Sequence, residues 1–158
     1  VSDYLQQLQR DVSSTAVKLP ACVVILLNEN AEFLLIKEAA RQQWQLPLDG
    51  IRDGETATEA TVRLTRQLLG VEPSELECIG YSSADPANKI IWPAQNILVQ
   101  LHAFVMVSTD WQGDISPATD YDSAQYFGIR DLPPVPAHVE HHIHMFTSWL
   151  PNREFQFR

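Results

Sequence analysis

The chain has 158 residues, 45% hydrophobic and 20% charged, which suits one globular domain with a sizeable core. A formal net charge of −9 argues against general affinity for nucleic acid, which needs clustered Lys and Arg to displace counterions, and it disfavours an anionic membrane. Acidic proteins still hold phosphates locally, through a helix N-terminus or a few arginines, so a small nucleotide-like ligand is compatible with this charge.

No apolar run reaches transmembrane length, and the N-terminus VSDYLQQLQR lacks the basic-then-apolar plan of a signal peptide. These features predict a soluble, cytoplasmic protein, with monomer and homodimer both open. Cys22 sits in an apolar run and Cys78 beside Ile79, in segments that read as strands, so buried reduced thiols are expected rather than a disulfide. No repeat, low-complexity tract or long linker divides the chain, and residues 1–158 read as a single domain.

Residues 3–12 place Tyr4, Leu5, Leu8 and Val12 at helical spacing and predict a short amphipathic helix, with a lead-in running to residue 19. Two Val-, Ile-, Leu- and Phe-rich runs then flank Asn28-Glu29-Asn30, the pattern of a β-hairpin. Arg41 falls at a second tip, where it is either solvated or meets a ligand phosphate. Trp44 either packs against the core or stacks on a ligand. Leu46-Pro47 closes an extended run, and Asp49-Gly50 and Asp53-Gly54 supply turn chemistry. Thr56 or Thr58 then caps a helix of about four turns that stops at Gly70.

Beyond Glu72-Pro73, Leu76–Tyr81 reads as a strand, and residues 82–95 form a long irregular insert whose Trp92 either covers a ligand or packs on the surface. Residues 96–107 return as a strand in which Leu98, Gln100 and His102 alternate with Val99, Leu101 and Ala103. A connection over 108–122 leads to Ser123–Phe127 and Leu132-Pro133. The last predicted element is a helix over 134–150 that carries His138, His141, His142 and His144. His138 and His142 share a face at i and i+4, a spacing that suits zinc or nickel, although two ligands do not close a tetrahedral site. The alternative is an amphipathic helix with Val139, Ile143, Phe146 and Leu150 or Trp149 inward and the histidines outward.

Residues 46–71, LPLDGIRDGETATEATVRLTRQLLGV, resemble the signature box of the Nudix hydrolases: Gly, five residues, Glu, seven residues, Arg-Glu, an aliphatic, any residue, Glu-Glu, any residue, Gly, aliphatic. Without any gap, Asp49 stands at the first Gly, Glu55 at the first Glu, Arg63 at the Arg and Gly70-Val71 at the close. The Trp before Leu-Pro and the Tyr-Phe pair before a final Leu-Pro and helix are also similar to that family. The resemblance implies an α+β fold: an α/β/α sandwich with a mixed central sheet, the box helix, and N- and C-terminal helices. It also places Leu64, Gln67 and Leu68 where the family carries its three metal-binding helix glutamates, and Ser123 where a subgroup carries a further Glu. Positions i, i+3 and i+4 share a helical face, so three carboxylates there would gather divalent cations, whereas two alkyl groups and one amide would not.

Three functions follow as expectations. The first is a Nudix-type protein with a degraded metal box that binds a nucleoside-diphosphate-type ligand or a partner, with little or no hydrolysis. Its ligand contacts would be drawn from Arg41, Trp44, Arg63 and Trp92. The second is a divergent pyrophosphohydrolase that relocates Mg²⁺ or Mn²⁺ to Asp49, Asp53, Glu55 or the acidic residues Asp120 and Asp122. The third is a structural or interaction module. On the first reading Glu55 pairs with Arg63 or caps the helix.

Overall fold

The computed structural model describes residues 16–92 and 96–158. The N-terminal helix expected over residues 3–12 lies outside the described residues. The chain runs β1 (Val17–Leu26), β2 (Phe33–Glu38), β3 (Gln43–Gln45), β4 (Leu48–Gly50), α1 (Ala57–Leu69), β5 (Glu72–Pro73), β6 (Glu77–Ser82) and β7 (Lys89–Trp92). It continues through β8 (Ile97–Ser108), β9 (Trp111–Gln112), β10 (Tyr121–Phe127), α2 (Ala137–Trp149) and β11 (Gln156–Phe157).

The central sheet is mixed, in the order β11-β6-β8-β1-β4, with β7 pairing the first part of β8. β1 and β8 run parallel over ten residue pairs, from Val17 opposite Val99 to Leu26 opposite Ser108. β1 is apolar without alternation because both of its faces are covered. Ala21, Val23 and Ile25 join the core that receives Val139, Ile143, Met145, Phe146 and Trp149 of α2. Cys22, Val24 and Leu26 join the core that receives Ala60, Leu64 and Leu69 of α1. The sheet is therefore sandwiched between two helices, as the resemblance implies.

Four expectations need correction. The turn at Asn28 forms, with Asn28 N–H donating to Glu32 O at 3.0 Å. The flanking strands, however, meet only at a Leu27–Phe33 bridge. β2 belongs to a second sheet, β10-β2-β3, because the strands diverge to cover different layers. The 82–95 insert is not wholly irregular, since β7 pairs β8 with Ile90 opposite Val99. Cys22 is buried, but Cys78 is exposed on β6, whose Ile79 takes the inward position. The histidines of α2 do not all face outward: His138 is 6% exposed and His142 fully buried, whereas Leu150 is exposed. His142 occupies the turn that an apolar residue would fill in a conventional amphipathic helix.

Candidate functional site

The box loop and α1 are fixed by local chemistry. Thr56 is the N-cap, its Oγ1 accepting from Glu59 N–H at 3.1 Å and donating to Glu59 Oε1, which satisfies one of the otherwise free first-turn donors. Gly70 ends the helix at φ 72°, a left-handed conformation natural to glycine, and its N–H bonds Arg66 O. One face of α1, comprising Ala60, Thr61, Leu64, Thr65 and Leu69, is buried, while Arg66 and Gln67 are exposed.

Arg63 organises the loop before the helix. Its Nε donates to Glu55 Oε2 at 2.7 Å and its Nη2 to Glu55 Oε1 at 3.0 Å, a bidentate pair. Nη1 donates to Asp49 Oδ2 at 2.8 Å, Nη2 also reaches Gly50 O at 2.7 Å, and Gln67 Oε1 accepts at 3.3 Å. The Arg63 guanidinium, supported above all by Glu55, holds its proton more tightly than usual. Glu55 is correspondingly a stronger acid than usual, because Arg63 and then the Arg52 N–H donate to its carboxylate. Asp49 and Glu55 thus converge, but on a guanidinium that already occupies them.

Beside this hub lies a cleft of about 630 Å³. It is lined by Asp49 and Leu68 of the box region, Thr119–Tyr121 at the start of β10, Glu38 at the end of β2, Arg41 in the β2–β3 turn, Gln43 of β3, Lys89, Ile90, Ile91 and Trp92 of β7, and Pro136–His138 at the start of α2. The Tyr121 phenol is pushed above its ordinary value by burial and then by the carboxylates of Glu38, Asp120 and Asp49. Glu38, 7% exposed, is held by Gln45 Nε2 at 2.7 Å. A smaller recess of about 340 Å³, lined by Val17, Leu19, Arg52 and Ile97, shares Asp49 and Trp92 with the cleft.

The candidate residues separate accordingly. Arg41, Asp49, Trp92 and Asp120 line the cleft, as does His138. Arg41 Nη1 donates to Ile91 O at 3.3 Å and so bridges the turn and β7. Trp44 packs edge-on against Phe127, with ring centroids 5.0 Å apart, and is not among the cleft residues. Glu55 and Arg63 serve each other in the loop, and Asp122 is exposed, accepting from Gln42. Glu38, Tyr121 and Lys89 are cleft residues that the sequence reading passed over. A carboxylate ending the apolar run FLLIK was a signal for the first of them.

The donor set does not fit a divalent cation. Leu64 is fully buried in the core, Leu68 offers an alkyl wall to the cleft, and the amide of Gln67 is spent on Arg63. Among the described residues no group of three or more His, Cys, Asp or Glu side chains is placed to hold a metal ion. That includes His138 and His142, whose ring centroids lie 6.2 Å apart in the interior.

Comparison with known proteins places this architecture. The NUDIX domain family matches residues 17–149. The NAD-capped RNA hydrolase NudC of Pseudomonas aeruginosa is 30% identical over 144 residues, 86% of this chain and 46% of that protein. An RNA pyrophosphohydrolase of Marinomonas sp. is 34% identical over 61 residues, 39% of this chain and 38% of that protein. The chain therefore spans less than half the length of these curated relatives. The fold is similar to that of a MutT NUDIX hydrolase from Burkholderia pseudomallei, with a TM-score of 0.67 and 19% identity over 81% of this chain and 97% of that one. A UDP-X diphosphatase gives a TM-score of 0.64 at 15% identity, covering 100% of this chain and 75% of that one. With the family match running from β1 through α2, the chain belongs to the Nudix family.

Proposed function

We propose that this Nudix domain binds a nucleoside-diphosphate-type ligand in the cleft beside the box helix and does not hydrolyse it by divalent-metal chemistry. The observation that carries the reading is the face of α1. Leu64 has been absorbed into the core, Leu68 walls the cleft, and the nearest carboxylates of the loop, Asp49 and Glu55, are held by Arg63. Losing one ligand of such a site costs on the order of 2–3 kcal/mol of transition-state stabilisation, about a hundredfold in rate, and ligands acting as a unit fail together. The cleft keeps what binding needs: apolar walls at Leu48, Ile90 and Trp92, two cations, and several acceptors. Arg41 and Trp92 are the ligand contacts on this reading, while Trp44 and Arg63 support the fold. The relatives' names concern RNA and NAD-capped RNA, but a net charge of −9 favours a small nucleotide over an RNA chain.

One observation favours a second reading. Glu38, Asp49 and Asp120 line the same cleft as Tyr121, and although they are not gathered into a preformed site, a Mg²⁺ or Mn²⁺ brought in with the ligand's phosphates would make the protein a divergent pyrophosphohydrolase. Calorimetric titration with ADP separates the two. The binding reading expects the same affinity in EDTA and in Mg²⁺, whereas an affinity that collapses in EDTA would overturn it.

A further inference from the structure

One end of the central sheet keeps an apolar face open. Val17 stands opposite Val99 between β1 and β8, and Trp92 opposite Ile97 between β7 and β8. Side chains two residues apart on a strand share a face, so Val17 and Leu19 lie with Ile97, Val99 and Trp92. Further along that face Ala21, Val23, Leu101 and Ala103 are buried in the core that holds Val139 and Ile143 of α2. Val17 and Ile97, by contrast, stay 45% and 44% exposed. With Leu19, Ile51, Trp92 and Val99 they line the recess of about 340 Å³ that adjoins the cleft.

The chain itself supplies a segment of matching chemistry and reach. β1 begins at Val17, in the wall of the recess, and residues 1–16 precede it. In that stretch Tyr4, Leu5, Leu8 and Val12 recur at helical spacing among polar residues. A helix over residues 3–12 would be about 15 Å long, and the link over 13–16 can span about 13 Å, enough to turn the helix back over the recess. We infer that residues 3–12 form an amphipathic helix whose Tyr4, Leu5, Leu8 and Val12 face docks on the Val17–Ile97 recess of the same chain. Tethering favours this occupant, because a short link holds the segment beside the recess at an effective concentration on the order of millimolar. A second copy would have to bury about 800 Å² per partner for a stable interface, far more than the half-exposed Val17 and Ile97 supply. Seated there, the helix flanks Asp49 and Trp92, which the recess shares with the cleft, and so stands beside the ligand site.

Hydrogen exchange of the full chain, read by mass spectrometry on its N-terminal peptides, tests this placement. An isolated helix of about ten residues is marginal in water, so protection over residues 4–12 itself reports docking. In the unmodified chain these amides are expected to exchange about tenfold or more slowly than unstructured ones. Ile97→Asp, at an exposed position, and Leu8→Asp, on the segment itself, are each expected to remove that protection while β1 and β8 stay protected. Val17→Asp, at the other exposed wall, takes the place of Ile97→Asp should the latter loosen β8. Ile129→Asp, exposed and outside the recess, serves as the control and leaves the protection unchanged. Unstructured exchange over residues 4–12 in the unmodified chain, or protection that survives a substitution in the segment or in the recess, overturns the proposal. So does protection that is lost on dilution together with a dimer in sedimentation velocity, which would assign the recess to a second copy.

Discussion

The interior of α2 makes the stability of this protein acid-sensitive through two histidines. His142 is fully buried, with neither ring nitrogen finding a partner among the described residues, and its pKa is lowered to about 3 by burial and then by the neighbouring His138 and His141. His138 is lowered to about 4 by burial. In the unfolded chain both titrate near the ordinary histidine value of about 6.5. Below that pH the unfolded state binds two protons that the folded state refuses, so their contribution is intact above about pH 6.5 and is lost progressively as pH falls toward the folded values. Each proton is worth about 1.4 kcal/mol per pH unit, so the pair costs the folded state on the order of a few kcal/mol by pH 4.5, a sizeable part of the stability of a typical domain. Urea denaturation of the unmodified chain and of His138→Leu/His142→Leu at several pH values between 7.5 and 4.5 isolates the effect, because carboxylate titration is common to both and cancels. The double variant is expected to lose about two protons' worth of slope. Parallel stability profiles would refute the argument.

Three further outcomes follow from the packing. Leu64→Glu buries a carboxylate in the core beneath α1 and is expected to destabilise by at least the ~2–5 kcal/mol of a large-to-small core change, whereas Leu68→Glu, half-buried on the cleft wall, should shift the urea midpoint little. Thr56→Ala removes the cap to Glu59 N–H and should cost about 1 kcal/mol by the same assay. A thiol reagent should label Cys78 alone in the native protein and Cys22 only in denaturant. Native labelling that survives Cys78→Ser would contradict the assigned burial.

Much of the site was readable because its signals are local. The Thr56 cap and the Gly70 stop each depend on residues within one turn, and the box spacing, gapless over residues 49–71, brings Glu55 to Arg63. What escaped was set by distant contacts. The apolar runs around Asn28 suggest a hairpin, but nothing in them says that β2 leaves for another sheet to pair with β10. β7 is short and owes its existence to β8. His142 looks polar in sequence, and only its position beneath the sheet makes it a core residue. Glu38 and Lys89 enter the cleft because five separate stretches of the chain meet there, and no window of sequence contains them all.

The most direct test of the central claim is a phosphate-release screen of nucleoside diphosphate derivatives with the unmodified chain in Mg²⁺ and Mn²⁺. The account predicts ligand binding without turnover above the uncatalysed rate. Metal-dependent release that disappears in Glu38→Gln or Asp120→Asn would contradict it and assign catalysis to the carboxylates of the cleft.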